Sequence, residues 1–338
     1  AKSMAKIGQS VLEAGRWLQD GWPVGVPTET VYGLAANACD SAALNRVFET
    51  KKRPLADPLI VHLRGVSDLS RYALAVPALA LALLDQFSPG PLTLILPKGP
   101  KLAMEVSAGL HTAGFRIPAH PLILDLLSGL DFPLAAPSAN LFGRSSPTTA
   151  AHVEEQLGSL IPYILDGGPC RIGVESTVLD LSGSEPVLRR EGGISLETLE
   201  GFCGQKIQRE TGTNPQNLAL RSPGTLLHHY APLVPLRLFD GDEDLDRWLS
   251  QTSVEQRQQL RPSLLRFERE CINPITQGWQ QEILSPKGDV QEAAHNLFAA
   301  LRRLEKISGL ILAQKVPNAE LGIAVNDRLF RASLKETL

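Results

Sequence analysis

No apolar run of about 18 residues or more occurs anywhere in the 338-residue chain, so no membrane-spanning helix is expected. The first ten residues, AKSMAKIGQS, lack a long apolar core and do not read as a secretory signal. There is no basic excess either. The net charge is −3 and the pI about 6.2, which argues against a protein built to coat nucleic acid. The four cysteines, Cys39, Cys170, Cys203 and Cys271, form no CxxC pair. A structural zinc site is therefore not expected, and no resident metal site is assigned. Four scattered thiols in a chain of this size fit a reducing compartment, and the expected setting is the cytoplasm, with no membrane. The chain has no GxxxxGK[ST] loop, no GxGxxG after a strand, no HExxH and no GxSxG. If it handles a nucleotide, it does so with another set of loops. Internal repeats and low-complexity segments are also missing.

What is present is the composition of a soluble globular protein, 43% hydrophobic and 20% charged. The length predicts two domains. Short β-branched runs bounded by Pro or Gly predict strands at 24–26, 59–63, 92–96, 114–117, 134–136, 163–165, 174–181 and 187–190. Amphipathic stretches predict helices at 41–51, 76–87, 122–130, 149–157 and 196–202. Asp40 and Asp289 are placed as N-caps. This alternation is α/β, a sheet covered by helices, over residues 1–210. A polar, proline-bounded stretch at 211–234, ending in HHYAP, is a linker. Residues 235–338 carry a smaller α/β pattern, with strands at 236–239, 264–267 and 309–313 and helices at 244–250 and 290–307.

Four blocks exceed what folding alone requires. PTETVYGL (27–34) places Thr28, Glu29 and Thr30 directly after a strand, a common position for binding residues, although a turn would use the same types. Lys51-Lys52-Arg53-Pro54 ends a helix, where one cation offsets the macrodipole but three exceed that need. Pro54 is expected to stop the helix and project Lys51 and Arg53 into a loop as a fork for polyphosphate. His62 follows on the next strand, where a packed core histidine is the plainer reading. Ser138, Asn140, Ser145, Ser146 and Thr148 crowd PSANLFGRSSPTT, which leads into a helix start. In DGGPCRIGVESTVLD (166–180), Glu175, Ser176 and Thr177 interrupt an apolar strand, so a network or a ligand must satisfy them. Arg116 and Arg190 end strands and need anions, whether Asp, Glu, a carboxylate or a phosphate. Together these describe a polar, cation-lined pocket without naming a reaction.

The motifs PTETVYGL, KxRP with PLIVH, SAN with SxPT, and GxEST followed by LRxxG, then PG…HYAP and ELGIAVNDRLFRAS, resemble the threonylcarbamoyl-AMP synthase family in order and over nearly the whole chain. The resemblance is to the long, two-domain form. It implies a YrdC-like fold, a twisted mixed sheet with helices, plus a smaller Rossmann-like α/β domain at 235–338. It also implies that L-threonine, bicarbonate or CO2, and ATP give threonylcarbamoyl-adenylate and diphosphate, with Mg2+ on the triphosphate. The product would pass to a tRNA threonylcarbamoyl transferase complex, so that tRNA is met only indirectly. By the same resemblance Thr30, His62, Arg116, Ala136 and Ser176 would hold threonine. Arg53, Asp57, Thr112, Ser138, Ser146, Arg190 and Tyr230 would hold ATP, and Lys51, Arg53 and Ser138 would serve catalysis. Tyr230 would fold back with the linker as a lid. The family often has Asn or His at the position of Asp57, where a carboxylate is repelled by a triphosphate unless it meets ribose, base or metal. Two other readings follow from proteins of similar fold: a double-stranded RNA-binding module, whose affinity would fall steeply with salt, and carbamoyl transfer to another protein.

Overall fold

The computed structural model describes residues 4–210 and 229–334. Most of the predicted linker, 211–228, lies outside the described residues. The chain divides into two compact units, one of residues 1–142 and 146–226, the other of residues 143–145 and 227–338.

The first unit carries an 11-stranded mixed sheet. Its strands are β1 (Lys6–Gly8), β2 (Val24–Val26), β3 (Gly33–Asn37), β4 (Ile60–His62), β5 (Leu92–Pro97), β6 (Thr112–Arg116), β7 (Leu134–Ala135), β8 (Tyr163–Leu165), β9 (Thr177–Asp180), β10 (Val187–Arg190) and β11 (Gln208–Arg209), in the spatial order β1-β8-β2-β3-β7-β4-β6-β5-β9-β10-β11. Successive side chains of a strand point to opposite faces. Accordingly Leu34, Ala36 and Ile164 enter one apolar cluster, while Ala35, Tyr163 and Leu165 enter another. The first cluster takes Ala43, Leu44 and Val47 of helix Ser41–Lys51 and Leu83 and Leu84 of helix Ala78–Phe87. The second takes Ala14 and Leu18 of helix Val11–Gln19 and Ile123 and Leu126 of helix Pro121–Ser128. The caps are those the sequence favours: Asp40 accepts from the N–H groups of Ala42 and Ala43, and Thr149 from that of His152.

Register then determines what the second face carries farther along the sheet. His62 lies opposite Arg116 in the parallel β4–β6 pair, and Arg116 opposite Thr93 in the antiparallel β5–β6 pair. Leu134 of β7, which is opposite His62, belongs to the second apolar cluster. The face that is apolar under helices Val11–Gln19 and Pro121–Ser128 thus continues as a polar row, His62–Arg116–Thr93. Val61, Phe115 and Leu94 pack beneath it in the first cluster.

The sequence reading differs from the fold at several points. The strand expected over 174–181 begins only at Thr177. Gly173 has φ 88, and the backbone of Glu175 and Ser176 turns to meet other partners. β3 escaped the strand reading because Gly-Leu-Ala-Ala-Asn has little β-propensity. β1 and helix Val11–Gln19 were also missed.

The second unit has a four-stranded parallel sheet in the order β12-β15-β13-β14. Its strands are β12 (Leu236–Phe239), β13 (Pro262–Arg266), β14 (Gln281–Ile283) and β15 (Leu310–Gln314). Parallel strands require crossover connections, and helices Asp242–Gln251, Val254–Leu260 and Val290–Glu305 supply them. Asp289 caps the last of these, accepting from the Gln291 N–H.

Candidate active site

Residues 27–32 form the loop between antiparallel β2 and β3. Thr28 Oγ1 accepts from the N–H groups of Thr30 and Val31 at 3.1 and 3.2 Å, which closes the turn. The Thr30 hydroxyl lies 2.9 Å from that of Thr28, and Thr30 is fully buried. The closed turn sets Glu29 against Arg116, 2.5 Å from Nη2, while Glu29 Oε2 accepts from the Ala119 N–H at 3.0 Å. Burial pushes the Glu29 carboxyl up, but the Arg116 guanidinium and the Ala119 N–H outweigh it and hold the acid below its usual range. Arg116 Nε donates to the Gly90 carbonyl at 3.3 Å. Its Nη1 makes no hydrogen bond among the described residues.

His62, next in the row, is buried. Its Nδ1 lies 3.1 Å from the Ile60 carbonyl oxygen, which puts the ring proton on that nitrogen. Burial, aided by the neighbouring Arg116 charge, lowers its pKa to about 3, so the ring is neutral. The unfolded chain takes up a proton near pH 6.5 that the folded site refuses until about pH 3. Stability contributed by His62 is therefore complete above about pH 6.5 and is lost as pH falls, by up to about 1.4 kcal/mol per pH unit. His62→Gln should flatten that acid limb, as read from denaturation midpoints of both proteins between pH 7 and about pH 4.

Ser176 extends the row. Its hydroxyl is 2.8 Å from that of Thr93 and accepts from Arg190 Nη2 at 3.1 Å, while Arg190 Nε donates to the Ser176 carbonyl at 3.0 Å. This approach requires glycine at 192, where a Cβ would lie 2.3 Å from the Ser176 carbonyl carbon and 2.4 Å from the Thr177 nitrogen. Ser146 donates to Glu175 Oε1 at 2.5 Å. Cys170 is buried beside this loop, and burial pushes its thiol up to about 12.

The cation block is arranged differently from the expected fork. The helix ends at Lys52, whose φ of 53 is left-handed, and Lys51 turns inward with 1% exposure. Its Nζ donates to the carbonyls of Ser138 and Asn140, and its own carbonyl accepts from the Phe142 N–H at 2.9 Å. Lys51 thus fastens the SAN turn instead of reaching into a loop. Burial, with Arg53 nearby, drives the amine well below its usual range. Arg53 donates to the Pro58 carbonyl at 2.8 Å and pairs with Asp57 Oδ2 at 2.9 Å. Burial raises the Asp57 carboxyl, opposed by Arg53, Lys51 and Arg190 in that order.

Thr30, His62, Arg116, Ser176, Lys51, Arg53, Asp57, Ser146 and Arg190 are all buried, and the contacts above join them into two linked groups within the first unit. Ala136 donates its N–H to the Ile60 carbonyl, and half-buried Ser138 bridges Gly33. Thr112 starts β6, four residues or about 13 Å from Arg116. Tyr230 is the remaining residue that the resemblance assigns to ATP. It belongs to the second unit, 1% exposed, with its ring 5.8 Å from that of Phe298 and Arg328 5.3 Å over its face. A buried tyrosine gains from aromatic and guanidinium partners of this kind. The residues not foreseen are partners of the foreseen ones. Thr93 hides in an apolar strand, where threonine reads as a β-former, and neither Glu29 nor Glu175 had been assigned a partner.

Residues 16–192 match the family profile described as Telomere recombination (Sua5, YciO and YrdC proteins), and residues 194–333 match Threonylcarbamoyl-AMP synthase, C-terminal domain. The chain is similar to the threonylcarbamoyl-AMP synthase of Pyrococcus abyssi, 39% identical with 95% of this chain and 93% of that one covered. It is likewise similar to that of Bacillus subtilis, 38% identical over 96% and 92%. The crystal structure of P. abyssi Sua5 complexed with L-threonine superposes with a TM-score of 0.87 at 35% identity, covering 98% of both chains. With the large mixed sheet, its polar row and the second parallel-sheet unit all in place, the chain belongs to the two-domain threonylcarbamoyl-AMP synthase family.

Proposed function

We propose that this chain makes threonylcarbamoyl-AMP from L-threonine, bicarbonate or CO2, and ATP, releasing diphosphate. The observation that carries the reading is the junction at Ser176, which bonds Thr93 of the polar row on one side and Arg190 of the cation cluster on the other. A small zwitterion suits the row. Arg116 keeps Nη1 for a carboxylate while Glu29 holds the rest of the guanidinium still. Thr30, the Ala136 backbone and neutral His62 would border the bound threonine. A neutral imidazole does not compete with Arg116 for the carboxylate and leaves the threonine amine unopposed by a cation.

The threonine amine would add to CO2, losing a proton to give the carbamate. A carbamate oxygen would then attack the α-phosphorus as the bond to diphosphate breaks. Positioning and charge neutralisation are the main tasks for the protein in such a step. Arg53 and Arg190 would face the phosphates, with Ser138, Ser146 and Thr112 along the nucleotide. Lys51 would act by holding the SAN turn. Mg2+ on the triphosphate would supply further neutralisation. The adenylate would pass to the enzyme that modifies tRNA, in the cytoplasm. All four cysteines are free thiols, which accords with that setting. No helix among the described residues is long and apolar enough to cross a membrane.

Diphosphate release from ATP should require threonine and bicarbonate together, and mass spectrometry should detect the threonylcarbamoyl adenylate. Equal release with serine, or release indifferent to bicarbonate, would sink the proposal.

A further inference from the structure

Asp57 is the feature of the cation cluster that phosphate binding alone leaves unexplained. It is 2% exposed. Although Oδ2 lies 2.9 Å from Arg53 Nη2, neither carboxylate oxygen receives a hydrogen bond in proper alignment. The neighbouring donors are engaged elsewhere: Lys51 on the Ser138 and Asn140 carbonyls, Arg190 on Ser176, and Arg53 on the Asp57 and Pro58 carbonyls. The turn is internally fixed, since the Asp57 N–H donates to the Pro54 carbonyl at 3.1 Å. The carboxylate is thus held in place with Oδ2 met only by the Arg53 ion pair and Oδ1 by no partner, although buried polar atoms are normally satisfied. A hard cation is the ligand such a group takes. Mg2+ bound to a nucleotide commonly takes one or two protein carboxylates, the remaining positions going to phosphates and water. No cluster of three His, Cys, Asp or Glu that could hold a metal unaided occurs among the described residues.

We propose that Asp57 is the protein ligand of the divalent cation that arrives with ATP, an inference that rests on the ATP reading above. The competing role is that of a fixed counter-ion for Arg53, which would make no distinction between ATP and its magnesium complex.

The test is calorimetric titration of ATP into the full chain and into Asp57→Asn, each with Mg2+ and with EDTA. The unsubstituted chain should bind ATP more tightly with Mg2+. In Asp57→Asn, the Mg2+ concentration needed for half-maximal ATP binding should rise about tenfold or more, while metal-free ATP should bind as well as before or better. Water-proton relaxation of Mn2+–ATP, bound to either protein, should report one more coordinated water in the variant. An unchanged metal preference in folded Asp57→Asn overturns the inference alone. Equal affinity of the unsubstituted chain with Mg2+ and with EDTA also overturns it, without need of the variant. Failure of the unsubstituted chain to bind ATP under either condition overturns the ATP reading and this inference with it.

Discussion

Arg116→Ala should abolish threonine-dependent diphosphate release while leaving ATP binding within a fewfold of the parent. Two losses coincide in this variant. The free Nη1 disappears, and with it the group best placed for a carboxylate. Glu29 is also left as an uncompensated buried charge, and breaking such a pair costs about 3–5 kcal/mol. The second loss would destabilise the fold whatever the first does to catalysis. The double variant Glu29→Gln, Arg116→Ala separates them. It should regain much of the lost stability, measured by denaturant midpoint, yet remain unable to bind threonine by calorimetry. Recovery of threonine binding in the double variant would remove Arg116 from the substrate site and leave it a structural partner of Glu29.

Lys51→Met should have the second-largest effect, and it should act through the SAN turn. Methionine keeps the length of the stem but offers no N–H. The carbonyls of Ser138 and Asn140 would lose their shared donor, at about 1–3 kcal/mol each if no water replaces it. The turn carrying Ser138 would loosen, so the KM for ATP should rise more than the KM for threonine. Lys51→Arg should not rescue, because a buried site filled by an ammonium has no room for a guanidinium fork. Equal changes in both KM values would show that the damage is general unfolding and not displacement of the turn.

Legibility of the fold in the sequence followed local chemistry. Strands Val24–Val26, Tyr163–Leu165 and Val187–Arg190 and helix Ser41–Lys51 have the bounds their patterns predict, because β-branched runs and an Asp cap are signals carried by the segment itself. β3 was missed because its alanines and glycine owe their strand state to the neighbours Val24–Val26 and Leu134–Ala135. The candidate site divides in the same way. Motifs identified which residues carry polar groups where polarity is costly. They could not say that Arg116 answers to Glu29, that Ser176 answers to Thr93, or that Lys51 faces inward. Those are facts of register and of chain crossing, between residues up to 89 positions apart.

The row His62–Arg116–Thr93 also bears on how the gene can change. Side chains alternate across a strand, so inserting or deleting a single codon within β4, β5 or β6 would swap the row for its underside and turn Val61, Phe115 or Leu94 toward the substrate. The connections between these strands are under no such parity rule. Length variation in this part of the protein is therefore confined to loops, and the three short strands can drift in composition but not in count.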